Sequence, residues 1–478
     1  MRFAIIGAGM AGILSAIKLT EAGFTDFTVY EKGEQLGGTW SENTYPGLAC
    51  DVPSHLYSYS FALTPEWSRR FSPGPEIRAY FERVAREHKV VERVRFGDEV
   101  TRCSFTAGKW TLETANGHHD EVDVVIAATG VLHHPRYPDI RGLDTFGGAM
   151  FHSSRWDHRV TIDDARVGII GTGSTAVQIV SAIATRVSKL SLFQRTAQWI
   201  MPQDNPAYTD EEKAAFRADP DRLPALHSQL GEMFGLFANA VIDSESPEIK
   251  MIEEACRANL ENNVHDPELR EKLRPTYRAA CKRLIISPDF YDAVQQPNVD
   301  VVIDKIECIE PAGVRTSDGT LHELDVLVLA TGFIADAFMR PMHVTGRRGT
   351  TLEQVWAQRP NAYLSISIPE FPNFFMLNGP NGPVGNFSLI EVAELQFGYV
   401  MQLIDQLRKG ACREISASTA AMEAFEAART EAAQQTVWVT GCTSWYLDDR
   451  GIPATWPWSF DRFRKEMRAP ELANFDCR

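Results

Sequence analysis

The sequence predicts an α/β protein with two Rossmann-like dinucleotide-binding domains, because a glycine-rich fingerprint occurs twice. The first copy, at residues 7–12, follows the apolar run 3–6, and the second, at residues 171–176, follows the run 167–170. In such a motif the first glycine permits a tight strand-to-helix turn, and the second lets a pyrophosphate approach the helix N-terminus. A third observation is an internal repeat: residues 123–130 and 325–332 each have the pattern of a buried strand that ends in Ala-Thr-Gly.

Opposite charges at the same offset predict that the two fingerprints bind different cofactors. Glu31 lies 24 residues after Gly7, whereas Arg195 lies 24 residues after Gly171. An acid at this position bonds a ribose 2′-hydroxyl, and an arginine suits a 2′-phosphate. The first fingerprint therefore predicts an FAD or NAD site, and the second predicts an NADPH site.

Composition excludes several other classes of protein. The chain has 478 residues and a formal net charge of −15, which argues against nucleic acid or an anionic membrane as the main partner. No run reaches the roughly 18 apolar residues of a membrane span. The eight cysteines form no CxxC pair and no Cys/His metal spacing, so we expect free thiols, no metal and a cytoplasmic location.

The order of the motifs predicts that one domain is inserted into the other. We expect an FAD-binding domain over 1–140 and 342–478, an NADP-binding domain over 141–204 and 281–341, and a helical insertion over 205–280. In the insertion, apolar residues recur at helical spacing; they are Leu226, Leu230, Met233, Phe234 and Phe237. Such a stripe most simply packs into the hydrophobic core, and the alternative is that it forms a wall of the substrate site. Aromatic residues near the C-terminus are expected to complete the first domain and shape a pocket; they are Trp438, Trp445, Tyr446, Trp456 and Trp458.

Three clusters carry candidate chemistry, and each also has an ordinary structural interpretation. Asp51 follows two glycines and a proline-containing loop, where a carboxylate commonly caps a turn. His152 is flanked by aromatics in a segment expected to link the domains, where a structural role is the simpler one. The pair Lys282 and Arg283 is typical of a solvated surface, unless a fixed cation is needed near flavin and nicotinamide.

Two long, gapped patterns in these clusters resemble those of the Baeyer–Villiger monooxygenases, flavoproteins related to the flavin-containing monooxygenases. The pattern FxGxxxHxxxW followed by Pro or Asp is met by Phe146, Gly148, His152, Trp156 and Asp157. The pattern GGxWxxxx(F/Y)PGxxxD is met by Gly37, Gly38, Trp40, Tyr45, Pro46, Gly47 and Asp51. The resemblance runs from the N-terminus to about residue 457. The region 205–275 shares only its helical character with the family, so the resemblance does not identify the substrate.

The resemblance implies a reaction cycle and a set of residue roles. NADPH would reduce FAD, the reduced flavin would trap O2 as a C4a-peroxide, and that peroxide would convert a small-molecule ketone to an ester or lactone. Arg283 would be the permanent cation beside the developing oxyanion, and Asp51 would hold it. Lys282 and Arg195 would grip the 2′-phosphate. His152 and Trp156 are assigned to coupling between the domains.

The predicted cofactor-binding residues come from both fingerprints and from the loops around them. They are Gly7, Gly9, Ala11, Gly12, Glu31, Gly38, Thr39, Trp40, Asp51, Tyr57, Val100, Thr129, Gly171, Thr172, Gly173, Ser174, Thr175, Arg195, Thr196 and Lys282.

Three other functions compete with ketone oxidation. A heteroatom monooxygenase would oxygenate amines or sulfides with the same cofactors, but it needs no cation such as Arg283 for an oxyanion. An NADPH-dependent disulfide reductase would need a redox cysteine pair near the flavin, and Cys50 has no near partner in the sequence. A non-enzymatic flavoprotein sensor would not need the second cofactor site that Arg195 marks. The sequence leaves the oligomeric state open.

Overall fold

The computed structural model describes residues 1–383 and 387–478 and contains two parallel five-stranded sheets. The strands of the first sheet are, in spatial order, Phe374–Met376, Val124–Ala127, Phe3–Ile6, Phe27–Tyr30 and Val94–Arg95. Those of the second sheet are Val299–Val302, Lys189–Phe193, Arg166–Ile170, Val326–Leu329 and Ala149–His152. The predicted α/β class with two Rossmann-like domains is confirmed.

The two sheets repeat one arrangement around their glycine-rich fingerprints. Each fingerprint strand, Phe3–Ile6 or Arg166–Ile170, pairs on one side with the strand that leads to Glu31 or Arg195. On its other side it pairs with the strand that precedes Ala-Thr-Gly, Val124–Ala127 or Val326–Leu329. These two repeated strands are buried along their whole length, which explains their continuous apolar sequence.

The fingerprint turns depend on glycine at the position that follows each central strand. Gly7 has φ +104° and Gly171 has φ +121°, a region that residues with a Cβ rarely adopt. A Cβ on Gly7 would also lie 2.5 Å from the carbonyl oxygen of Ala128 in the neighbouring strand. The helices that follow, Met10–Glu21 and Ser174–Ile183, therefore begin close to the sheet.

Smaller sheets accompany the two main ones. Beside the first sheet lie Val100–Thr106, Lys109–Thr114, His119–Val122 and His343–Thr345; beside the second lie Ile306–Glu310, Gly313–Thr316 and Leu321–Glu323. Two further pairs join Ile200–Met201 to Ile285–Ile286 and Ile415–Ala417 to Phe475–Cys477.

Four helices occupy the region between the two segments of the second sheet, namely Asp210–Ala218, Arg222–Ala240, Pro247–Asn263 and Pro267–Lys272. The first of them begins with a capping box, because the Thr209 side chain accepts from the Glu212 N–H and the Glu212 side chain accepts in return. The domain boundaries stay a prediction.

The remaining helices pack around the sheets. They are Thr39–Glu42, Gly74–Glu87, Phe290–Val294, Leu352–Val355, Leu389–Arg408, Thr419–Ala433 and Phe460–Glu466, with 3₁₀ turns at Val91–Arg93, Leu143–Thr145, Ser153–Arg155, Arg347–Gly349, Val437–Val439 and Leu472–Asn474. Among the helices in residues 1–383 and 387–478, none combines the length and apolar character needed to cross a membrane.

The expectation that all cysteines are free thiols is wrong for two of them. Cys281 and Cys442 form a disulfide across 161 residues of sequence. The other six cysteines are free: Cys50, Cys103, Cys256, Cys308, Cys412 and Cys477. A bridge of such long range leaves no spacing signal, because the fold, not the local sequence, brings the two residues together.

Candidate active site

Glu31 lies at the end of its strand as a buried carboxylate with a fixed orientation. Its side chain is 8% exposed and accepts hydrogen bonds of 2.7 Å from the backbone N–H groups of Ala8 and Gly33. Hydrogen bonds to backbone donors offset the cost of burying a charge. The carboxylate is thereby held against the fingerprint loop, where the remaining lone pairs suit a ribose hydroxyl.

Two backbone segments next to Glu31 form a cradle with no side chain between them. Gly38, with φ +54°, caps the short helix Thr39–Glu42, and a Cβ added to it would lie 3.1 Å from Cα of Gly9. Trp40, in that short helix, donates from its indole N–H to the Tyr57 hydroxyl at 3.1 Å. The opposed glycines fit a flavin ribityl-pyrophosphate chain, which needs backbone to approach closely.

Two other residues expected to bind a cofactor occupy the first sheet and its neighbour. Thr129 lies just beyond the strand Val124–Ala127, beside the fingerprint turn. Val100 is buried as the first residue of the strand Val100–Thr106. Their contacts with a cofactor stay a prediction.

The second fingerprint faces a pair of cations instead of a carboxylate. Arg195 is exposed, and Lys282 lies with its ammonium 4.7 Å from the centre of the Tyr277 ring. Burial, together with the positive charge of Arg195, lowers the pKa of Lys282. Within residues 1–383 and 387–478, neither cation forms an ion pair with a carboxylate. Two neighbouring cations without a counter-charge fit a phosphate dianion.

The loop of the second fingerprint is held by its own hydrogen bonds. The Thr172 hydroxyl donates to the carbonyl of Thr196 at 2.8 Å, which ties the turn to the segment that follows Arg195. Gly173 caps the helix that begins at Ser174 and continues through Thr175.

Asp51 and Arg283, which are 232 residues apart in the sequence, form a hydrogen-bonded ion pair. Their side chains are 23% and 31% exposed, so both are largely removed from solvent. Burial opposes the charge on Arg283, but the charge of Asp51 and the hydrogen bonds with Asp51 and Tyr446 raise the pKa of the guanidinium above its ordinary value. Arg283 is therefore a permanent cation, and its catalytic role stays a prediction.

The ion pair forms the polar side of a cavity whose other walls are apolar. Tyr446 lies beside Asp51 and Arg283. The apolar lining includes Phe234, Phe237, Val241, Leu284, Phe387 and Trp438. An aromatic wall opposite a fixed cation can hold the hydrocarbon part of a small molecule and direct its polar atom to the charge.

The apolar stripe of the helix Arg222–Ala240 is not simply a core face, as its pattern suggested. Leu230 is buried, but Met233 is 46% exposed, and Phe234 and Phe237 line the cavity. Periodicity identifies the face of a helix but not what lies opposite it. The only sequence signal for a wall was a pair of aromatic residues three positions apart.

His152 is a strand residue and not a linker residue. It ends Ala149–His152 at the edge of the second sheet, donates from Nε2 to the Gly332 carbonyl at 3.0 Å and accepts at Nδ1 from the Ser154 N–H at 3.2 Å. Trp156 packs against Phe151 with ring centroids 5.0 Å apart. The role of His152 and Trp156 in coupling the domains stays a prediction.

Comparisons with known proteins agree with this geometry. A family model described as pyridine nucleotide-disulphide oxidoreductase matches residues 4–211. A monooxygenase of Mycobacterium tuberculosis strain H37Rv is 45% identical over 99% of this chain and 96% of its own length. A Baeyer–Villiger monooxygenase of Streptomyces coelicolor is 40% identical over 99% of this chain and 92% of its own length. The crystal structure of cyclohexanone monooxygenase from Rhodococcus sp. Phi1 bound to NADP+ superposes with a TM-score of 0.89 at 28% identity, covering 100% and 99% of the two chains. The chain belongs to the Baeyer–Villiger monooxygenase family of flavoprotein monooxygenases.

Proposed function

We propose that this protein binds FAD and NADPH and uses O2 to convert a ketone to an ester or lactone. The observation that carries the proposal is the Arg283–Asp51 ion pair, which places a permanent cation in a cavity whose other walls, apart from Tyr446, are apolar. Family membership supports the monooxygenase chemistry, and the cavity supports a carbonyl substrate of apolar character.

The cofactor sites are assigned to residues whose contacts suit each ligand. Glu31 and the glycine cradle at Gly9 and Gly38 would hold FAD through its ribose and pyrophosphate. Arg195 and Lys282 would hold the 2′-phosphate of NADPH. When bound and reduced by NADPH, the flavin would activate O2, so that one oxygen atom goes to the substrate and the other leaves as water.

Arg283 is proposed to stabilise negative charge that develops on the substrate oxygen. A guanidinium cannot lose its proton in a protein, so the charge is present whenever the carbonyl reacts. Asp51 keeps the planar group in one orientation through a charge-assisted hydrogen bond. Phe234 and Phe237 would exclude water and hold the hydrocarbon part of the ketone.

The proposal is tested by replacing Arg283 in the holoenzyme. The protein is reduced anaerobically with NADPH and then aerated with a panel of cyclic, linear and polycyclic ketones. We expect Arg283→Ala to lose at least about 10²–10³ in ester formation, because a preorganised electrostatic partner is removed. Arg283→Lys should also be severely impaired, since an ammonium cannot reproduce the fork that meets Asp51. Flavin reduction should survive.

Arg278→Ala is the matched control for this experiment. Arg278 lies five positions earlier and pairs with Glu253 at 2.8 Å, outside the cavity. Undiminished ketone conversion by Arg283→Ala would contradict the assignment. So would a wild-type enzyme that oxygenates sulfides or amines but no ketone, because that chemistry needs no cation at a carbonyl.

Replacing Asp51 separates orientation of the cation from its presence. Asp51→Ala should retain bound FAD but slow product formation, because Arg283 keeps its charge and loses its orienting partner. We expect a smaller loss than for Arg283→Ala. The measurement is product per NADPH consumed, together with the flavin content of the purified variant.

A further inference from the structure

Tyr446 is a buried residue of the cavity that the roles above leave unused. It is 4% exposed and packs against two indole rings, with centroids 5.6 Å from Trp438 and 4.2 Å from Trp445. The Cys281–Cys442 disulfide joins the segment before Tyr446 to the segment that carries Arg283. The ring is therefore held in a fixed position beside the cation.

The phenol of Tyr446 and the guanidinium of Arg283 lie within interaction range of each other at the wall of the cavity. Because a guanidinium has only donors, the phenolic oxygen is the acceptor in any hydrogen bond between the two groups. The hydroxyl hydrogen is then available to an acceptor in the cavity, since none of residues 1–383 and 387–478 accepts it. Tyr446 lines the same cavity as Asp51 and Arg283, so its hydroxyl can donate a hydrogen bond to the oxygen atom of a substrate bound there.

Burial keeps the phenol in its neutral form. It raises the pKa of Tyr446, although the positive charge of Arg283 and its hydrogen bond act in the opposite direction. The hydroxyl therefore retains its proton across the physiological pH range.

We propose that Tyr446 donates a hydrogen bond to the carbonyl oxygen of the ketone and so makes the site selective for carbonyl substrates. This inference rests on the proposed function. The hydroxyl would fix the direction of the carbonyl, Arg283 would stabilise the charge that develops on its oxygen, and the apolar wall would hold the hydrocarbon. The positive charge of Arg283 beside the hydroxyl also polarises it, which makes Tyr446 a stronger donor.

The variant Tyr446→Phe tests this role, because it keeps the ring and removes only the hydroxyl. With the ketone that the wild type converts best, kcat should fall about 10²-fold, the usual effect of losing one preorganised donor. The rate of flavin reduction by NADPH should change less than about twofold. A merely structural role would lower both rates or neither.

A binding measurement tests the same hydrogen bond without requiring the enzyme to turn over. The same ketone and its methylene analogue, in which C=CH2 replaces C=O, are compared by the thermal shift that each produces in the holoenzyme. The ketone should give the larger shift with wild type, and Tyr446→Phe should bring the two shifts together. The control is Tyr399→Phe, which removes a buried phenol hydroxyl outside the cavity.

The outcomes separate this inference from the proposed function. If wild type converts a ketone and Tyr446→Phe has the same kcat and the same ketone preference, the inference is wrong and the proposed function stands. If wild type converts no ketone, both are contradicted. If Tyr399→Phe shows the same losses as Tyr446→Phe, the effect is one of general packing and the inference is again wrong.

Discussion

The two dinucleotide folds share a scaffold but present opposite charges at the same position. Glu31 is buried, and two backbone N–H groups hold its carboxylate. Arg195 is exposed and, like its neighbour Lys282, has no ion-pair partner in the described part of the chain. Both residues follow a strand that pairs with the central fingerprint strand.

We infer that the residue at the strand end adapts one fold either to a cofactor that stays bound or to one that is exchanged. This position follows the last paired residue of each strand, so the strand pairing itself is compatible with either charge. A carboxylate that is already hydrogen-bonded is rigid and suits a group that stays bound. A cation in solvent pays little desolvation and suits a phosphate that binds and leaves.

Reversing the charge at the first position should have the largest effect. In Glu31→Arg a buried cation would face the N–H groups of Ala8 and Gly33, which can donate but not accept. We expect FAD affinity to fall more than about 100-fold, measured as flavin absorbance per purified protein. Glu34→Arg, at an exposed position three residues later, is the control. Full flavin content in Glu31→Arg would show that the comparison does not describe the first site.

Removing the cation at the second position should alter coenzyme choice and leave FAD in place. Arg195→Ala loses a charge-assisted phosphate contact worth about 1.5–3 kcal/mol, so the KM for NADPH should rise about 10- to 100-fold. The KM for NADH should hardly change. Arg186→Ala is the matched control, since Arg186 pairs with Asp163 on the surface. Equal use of NADH and NADPH by wild type would remove the basis for the second assignment.

The two regions also differ in the hydrogen bonding of a buried histidine, and the effect expected from this difference is smaller. His55, in the region predicted for the first domain, packs between Tyr208 and Phe216 with ring centroids 5.1 and 5.0 Å away. Neither of its ring nitrogens has a hydrogen-bond partner among the described residues. In the second sheet, both nitrogens of His152 are bonded.

Acid should therefore destabilise the protein through His55. Burial, with a smaller contribution from His227, lowers the pKa of His55 from 6.5 to about 4. Because the folded state binds this proton less readily than the unfolded state, stability is fully present above pH 6.5 and falls as the pH drops towards 4. Between pH 7.5 and 5 the loss should be about 2 kcal/mol. Chemical unfolding of His55→Phe should show a correspondingly weaker pH dependence, and an unchanged one would contradict this account.

Sequence reasoning predicted the fold because its signals are local. The glycine turns at Gly7 and Gly171 and the buried strands around them are written in runs of a few residues. The site was accessible only in part. Asp51 and Arg283 were paired through a family resemblance, since no local rule connects positions so far apart.

The remaining features of the site depend on tertiary contacts that leave no local signal. The Cys281–Cys442 bridge was not foreseen, and Phe234 with Phe237 fitted a core stripe equally well. From the sequence, Tyr446 was one of several aromatic residues near the C-terminus and was assigned no role in the chemistry. Its contact with Arg283 arises because the chain returns to the cavity after more than 150 residues.

The proposed function requires the two cofactor sites to act together in placing one oxygen atom from O2 into a ketone. The most direct measurement is turnover of an accepted ketone with NADPH under 18O2, followed by mass spectrometry of the product. The account predicts one 18O atom per ester or lactone molecule and one NADPH consumed for each product. An ester that carries only oxygen from water, or NADPH consumption that yields hydrogen peroxide and no ester with every ketone, would contradict it.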